Sequence, residues 1–206
     1  MTTDAHPQIY LITPPVFDPT EFADTLARVM DRVEVACVRL SLVSQDEADV
    51  ARAADTVREV THARDVALVI SDHTALAERL GLDGVHLGDA ARSVRAARKA
   101  LGPEAIVGAF CGASRHDGMT AGEAGADYIS FGPVAASALN DGRQAEPDLF
   151  AWWSDMIELP VVAEGGLDLS HIRALSPVTD FFGIGQEIWS TDDPAAALAA
   201  LHQAIT

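Results

Sequence analysis

Short runs of β-branched and apolar residues alternate along the chain with longer, alanine-rich stretches whose apolar positions recur at helical spacing. That alternation is the pattern of repeated strand–helix units on a parallel sheet. Eight strands are predicted, over residues 8–13, 34–40, 66–70, 84–87, 105–109, 127–131, 160–163 and 180–185. A last helix is predicted over 194–204, where Ser190-Thr191-Asp192-Asp193 offers capping side chains ahead of Pro194, a residue suited to a first helical turn. Eight units in 206 residues predict an α/β chain forming one compact (β/α)8 TIM barrel, a single domain over 1–206 with short loops. The alternative is an open, doubly wound sheet, but no GxGxxG follows the first strand. The glycine-rich turns come instead after strands seven and eight, where a barrel often holds phosphate on converging backbone N–H groups. The longest irregular segment, GPVAASALNDGRQAEP at 132–147, follows strand six and is predicted to be a mobile loop or lid on the active face.

Charge changes this picture. A formal net charge of -17 without any basic cluster argues against nucleic acid and anionic membranes as partners. No apolar run is long enough to cross a bilayer and the first ten residues lack the features of a signal peptide, which predicts a cytoplasmic protein. The two cysteines, Cys37 and Cys111, lack metal-ligand spacing and are expected to be buried thiols. The one lysine, Lys99, lies in a helical-looking stretch over 90–101 and is expected to face solvent, which excludes imine chemistry at a strand end.

Candidate chemistry gathers at the carboxyl ends of the predicted strands. Ser71-Asp72-His73 ends strand three, and Asp72 reads either as a Mg2+ ligand or as a cap of a helix over 74–80. Asp89, after Gly84-Val85-His86-Leu87-Gly88, has the same two readings, its helix beginning near Ala90. His86 is expected to point into the barrel top or onto the helix layer, as a structural or a catalytic residue. Gly165 and Gly166 past strand seven, with Gly185 and Gln186 past strand eight, form the best candidate for a phosphate cup, tight turns without a ligand being the alternative. Glu164 and Glu187 beside those glycines would repel an anion unless they point away. Ser114 and His116 sit at a helix start, where a capped, solvated terminus is the plain interpretation. Trp152, Trp153, Phe181 and Phe182 are assigned to packing.

Six segments occur in family order: IYLIT at 9–13, the strand ending in Ser71-Asp72, GVHLG at 84–88, GADYISFGPV at 125–134, PVVAEGG at 160–166 and DPAAAL at 193–198. Together they resemble the thiamine phosphate synthase/TenI family. The resemblance implies a barrel that binds a phosphorylated thiazole and an aminopyrimidine diphosphate, with Mg2+ and no organic cofactor. In that reaction diphosphate departs as a new C–N bond forms, and neutralising the leaving group's charge is its physical core. The sequence departs from the family's pattern at several of these points. A QLREK-like motif after strand two is replaced by Arg39-Leu40-Ser41-Leu42-Val43, with Arg39 the one cation left. Asp72 keeps the metal-binding position of strand three, while Ala91 stands where a second acid is expected and Asp89 offers a shifted substitute. The threonine-rich, lysine-ended segment after GPV becomes AASALN, without a cation. Phe110 stands at the small hydroxyl residue of strand five, unless Ser114 takes that role. Ser114-Arg115-His116 resembles the Ser-x-His of TenI, and Gln186 falls at the phosphate-binding serine of strand eight.

Substrate and phosphate contacts are therefore expected at Arg39, Ser71, Gly165, Gly166, Gly185 and Gln186, and Mg2+ at Asp72 and Asp89. Arg39, His86, Ser114 and His116 are the candidates for catalysis. The implied function is a divergent thiamine-precursor enzyme, synthase or thiazole isomerase, with weakened or altered catalysis. The competing readings are an inactive, phosphate-binding or regulatory barrel and a structural partner protein. A homodimer is expected for so small a barrel.

Overall fold

The computed structural model describes residues 6–135 and 143–205. Eight parallel strands close into a barrel in sequence order: β1 Gln8–Ile12, β2 Val35–Leu40, β3 Ala67–Ser71, β4 Gly84–Leu87, β5 Ile106–Phe110, β6 Tyr128–Phe131, β7 Val161–Glu164 and β8 Phe181–Ile184, with β8 pairing back to β1. The outer layer is α1 Pro19–Arg32, α2 Glu47–His62, α3 Thr74–Leu80, α4 Val94–Leu101, α5 Arg115–Ala124, α6 Pro147–Met156, α7 Leu169–Leu175, α8 Gln186–Trp189 and α9 Pro194–His202. The closed barrel confirms the predicted architecture and rules out the open sheet. Residues 136–142, the centre of the predicted mobile loop, lie outside the described residues. Among the described residues no helix is long and apolar enough to cross a membrane.

Several strands begin one residue later than their hydrophobic runs do. At β6 and β8 the cause is an aspartate just ahead of the strand, and Asp83 ahead of β4, which starts where its run does, makes the same contacts. Asp83 donates its N–H to the Leu68 carbonyl at 3.1 Å and accepts the Leu68 N–H on its carboxylate at 2.7 Å. Asp127 clamps Val107 in the same way, at 2.8 and 2.7 Å, and Asp180 clamps Val161 at 3.1 and 2.8 Å. One aspartate, through its backbone N–H and its carboxylate, thereby satisfies both backbone groups of a residue in the preceding strand, beyond the end of the regular ladder. These clamps lie on the amino-terminal face, the face of a barrel that serves stability.

Strand alternation divides the core in two. Outward residues such as Leu11, Val38, Ile70 and Phe182 join the helix faces in one apolar cluster. Inward residues form a second, smaller cluster around Tyr10, Cys37, Val69, Tyr128 and Val162. The inner cluster needs Gly108, because a Cβ there would lie 2.1 Å from the Tyr128 ring. Trp153 and Phe182 are buried, as the packing assignment expects, and Phe181 and Trp152 are half-buried. Both cysteines are free and buried, with burial pushing each thiol up to about 12. Lys99 is exposed on α4, away from the strand ends.

Candidate functional site

Inward alternation at the carboxyl ends of the strands brings Arg39, Ser71, His86, Ser130 and Glu164 into the barrel's upper interior. Arg39 is 8% exposed, and its Nη1 donates to Glu164 Oε2 at 3.0 Å across the barrel. Burial works against the guanidinium's charge, but Glu164, Tyr10 and Tyr128 together hold its pKa above the ordinary value. Its Nε has no partner. Below it a chain of polar contacts crosses the interior: Tyr10 and Tyr128 share a hydroxyl–hydroxyl bond of 2.6 Å, and Tyr128 meets His86 Nδ1 at 2.9 Å. Burial, then the Arg39 charge, push His86 well below 6.5, so the imidazole is neutral at pH 7. The two tyrosines are raised, first by burial, and stay protonated. His86 therefore points into the barrel rather than onto the helix layer, with Nε2 unpartnered; Ser130 Oγ, fully buried, is unpartnered too.

The turns after β7 and β8 do converge. Together with Ile12, Thr13, Pro15, Arg39 and Ser41 they surround a cavity of 520 Å³ that also touches Pro133, Glu164, Gln186 and Glu187. Gly165 and Gly166 adopt φ of 88° and 79°. Their lack of side chains serves the loop after β6: a Cβ on Gly165 would come 2.9 Å from Pro133 Cβ, and one on Gly166 2.5 Å from Ala135 Cβ. Three amides of the two turns are already engaged. Glu187 Oε1 accepts from Gly166 N at 2.9 Å and Leu167 N at 3.1 Å, and Oε2 accepts from Gly185 N at 2.8 Å. The two acids flagged in the sequence thus behave differently. Glu164 turns to Arg39, while Glu187 points into the cup rather than away from it.

A second cavity of 750 Å³ opens between the ends of β4, β5 and β6, with Asp89, Arg92, Ser114, His116, Asp117 and Arg143 among its lining. Capping does not explain Asp72. The N-cap of α3 is His73, and Asp72, at φ 60°, accepts the Gly88 N–H on Oδ1 at 2.6 Å, tying the turn after β3 to the turn after β4. Capping does not explain Asp89 either: α4 starts at Val94, Ser93 is its N-cap, and Ala90 has a left-handed φ of 60°. Asp89 Oδ2 accepts from Ser93 Oγ at 2.6 Å, and its buried Oδ1 has no partner. Asp72 and Asp89 therefore flank Gly88 from two turns. Among the described residues no group of three or more His, Cys, Asp or Glu side chains is placed to hold a metal alone. Ser114 is the N-cap of α5, its Oγ accepting from Asp117 N at 3.1 Å, and His116 is exposed beside it at the cavity. The plain reading of a capped terminus holds for this pair. Ser71 lines neither cavity.

Sequence reasoning passed over Ser130, Tyr10 and Tyr128. The signal was present in GADYISFGPV and IYLIT, where period-two alternation puts these residues inward among apolar neighbours.

The sequence profile described as "Thiamine monophosphate synthase" matches residues 9–179. A thiamine-phosphate synthase of Rhodospirillum centenum is 41% identical over 199 residues, covering 95% of this chain and 96% of that protein. One of Erythrobacter litoralis is 39% identical over 207 residues, covering 98% and 97%. Among solved structures, a thiamine phosphate pyrophosphorylase from Pyrococcus furiosus superposes with a TM-score of 0.84 at 21% identity, covering 96% of this chain and 95% of that one. A 3-hexulose-6-phosphate synthase does so at 0.73 and 16% identity, covering 97% and 100%. Likenesses at such identities speak for the barrel fold alone.

Proposed function

The chain belongs to the thiamine monophosphate synthase family, and from that premise we propose that it acts on thiamine precursors, binding a phosphorylated thiazole or a similar heteroaromatic phosphate and joining it slowly to an aminopyrimidine diphosphate. The observation that carries this reading is the buried, unpartnered Asp89 Oδ1 beside the 750 Å³ cavity. A carboxylate oxygen buried without a donor is costly unless a cation or a ligand completes it.

Asp72 and Asp89, on either side of Gly88, are the residues that would hold Mg2+, with the remaining ligands coming from diphosphate oxygens and water. The ion when bound supplies charge neutralisation for the departing diphosphate. His86, neutral and buried, and Ser130 keep Nε2 and Oγ unpartnered in the barrel's upper interior, but neither lines the two cavities. Arg39 is the one cation at the end of β2, and Glu164 already engages it. A diphosphate therefore gains less from Arg39 than from an unpaired guanidinium, which supports weakened catalysis.

Purified protein is incubated with both phosphorylated precursors and Mg2+, and thiamine phosphate is measured. Slow, Mg2+-dependent formation is expected; neither thiamine phosphate nor thiazole isomerisation at high enzyme concentration would eliminate the reading. The engaged cup amides favour a second reading, a binding or regulatory barrel without turnover. A thermal shift with thiamine phosphates in the absence of any product would select it.

A further inference from the structure

Glu187 places a carboxylate where an incoming anion would have to sit. Its two oxygens take three amide N–H groups from two different turns, those of Gly166 and Leu167 after β7 and that of Gly185 after β8. Three converging amides are the donor set that a phosphate oxygen seeks. Arg39 lines the same cavity, nine-tenths buried; its Nη1 is taken by Glu164, while its buried Nε is the one donor of this set left unpartnered. Among the described residues the cavity's charged lining is Arg39, Glu164 and Glu187, one guanidinium against two carboxylates. A phosphate entering beside this set meets repulsion as well as occupied donors.

The backbone that carries Glu187 is held independently of its carboxylate. Ile188 is fully buried, Trp189 Nε1 donates to the Ile12 carbonyl at 2.6 Å, and the Trp189 ring packs edge-on against Phe22 at 5.1 Å. Rotation of one half-buried side chain therefore suffices to free all three amides while α8 stays in place.

We propose that Glu187 is an internal anion that competes with the phosphate group of the ligand for the amides of the β7 and β8 turns, and so sets how strongly the protein holds phosphorylated compounds. The proposal rests on the reading that a phosphorylated ligand enters this mouth. Phosphate binds when Glu187 swings out, and the protein discriminates against phosphate relative to a barrel with a neutral residue at 187.

The test uses the full chain and inorganic phosphate as the probe, with binding followed by titration calorimetry and by the phosphate-dependent rise in Tm at constant ionic strength. Glu187→Ala frees the amides and is expected to bind phosphate at least about tenfold more tightly than the wild type, the scale of one charge-assisted contact. Glu187→Gln keeps the shape without the charge and is expected to fall between them. If Glu187→Ala does not fold, the Gln variant decides. Equal phosphate affinity in wild type and variants, or no binding by any of them, overturns the proposal. Thiamine phosphate formation is measured on the same three proteins. Gained phosphate binding without turnover in any of them would refute the synthase reading and leave the role of Glu187 standing.

Discussion

The mouth of the barrel has two halves that treat their polar groups differently. Between β7, β8, β1 and β2 the chain's own carboxylates engage strong donors, Glu164 taking Arg39 Nη1 and Glu187 three turn amides, with Arg39 Nε left unpartnered. Between β4, β5 and β6 the groups stay available: Asp89 keeps a buried oxygen without a partner, and His116 stands exposed at the cavity wall. In a chain with net charge -17, carboxylates take up donors internally, and the proposed ligand would displace them in one half and complete Asp89 in the other.

The largest expected effect tests the closed half. Arg39→Met strands the Glu164 carboxylate, whose side chain is 12% exposed, and is expected to cost about 3–5 kcal/mol in urea denaturation. Adding Glu164→Leu should restore most of that loss, because a well-packed apolar pair replaces an ion pair at little cost. A single-variant loss below about 1 kcal/mol would mean that the pair is solvated like a surface bridge and that this half is not closed. In the open half, Asp89→Asn is expected to reduce Mg2+-dependent product formation by about tenfold or more. An unchanged Mg2+ titration curve would remove Asp89 from the metal site.

A third prediction concerns pH. His86 stays neutral in the folded protein below 6.5, where the unfolded chain takes up a proton at its histidine. The unfolded state then binds more protons, so stability falls as pH drops from 6.5 toward the lowered folded pKa, with a slope approaching about 1.4 kcal/mol per pH unit. The difference between the stability curves of wild type and His86→Gln isolates this residue from the other titrating groups, and a flat difference below pH 6.5 contradicts it. The smallest effect separates capping from chemistry at the edge of the open half. Ser114→Ala should cost about 1 kcal/mol of stability as a lost cap, and His116→Ala less than about 0.5 kcal/mol. Loss of turnover in Ser114→Ala far beyond its loss of stability would restore Ser114 as a residue of the reaction.

Much of this was legible in the chain. The strands were found to within a residue or two because each is a short apolar run between turn signals, and the last helix because Pro194 follows capping residues. The one-residue errors at the starts of β6 and β8 come from Asp127 and Asp180, whose double bonds to the preceding strand are tertiary contacts. The short α8 went unseen because four residues give no helical period. At the site, the sequence reads Gly165 and Gly166 as room for an anion, whereas the space their missing side chains leave is filled by Pro133 and Ala135 from another turn.

Sequence alone determined the parallel barrel and the end of it on which the candidate residues gather, because strand period and turn chemistry are local properties that repeat eight times. The partner of each charged group was decided only by the folded structure. Glu164 and Glu187 are equally acidic neighbours of glycines, yet one meets a guanidinium 125 residues away in sequence and the other meets three amides from two turns. Strand position and barrel closure set those distances, and electrostatic energy depends on distance and burial rather than on order along the chain.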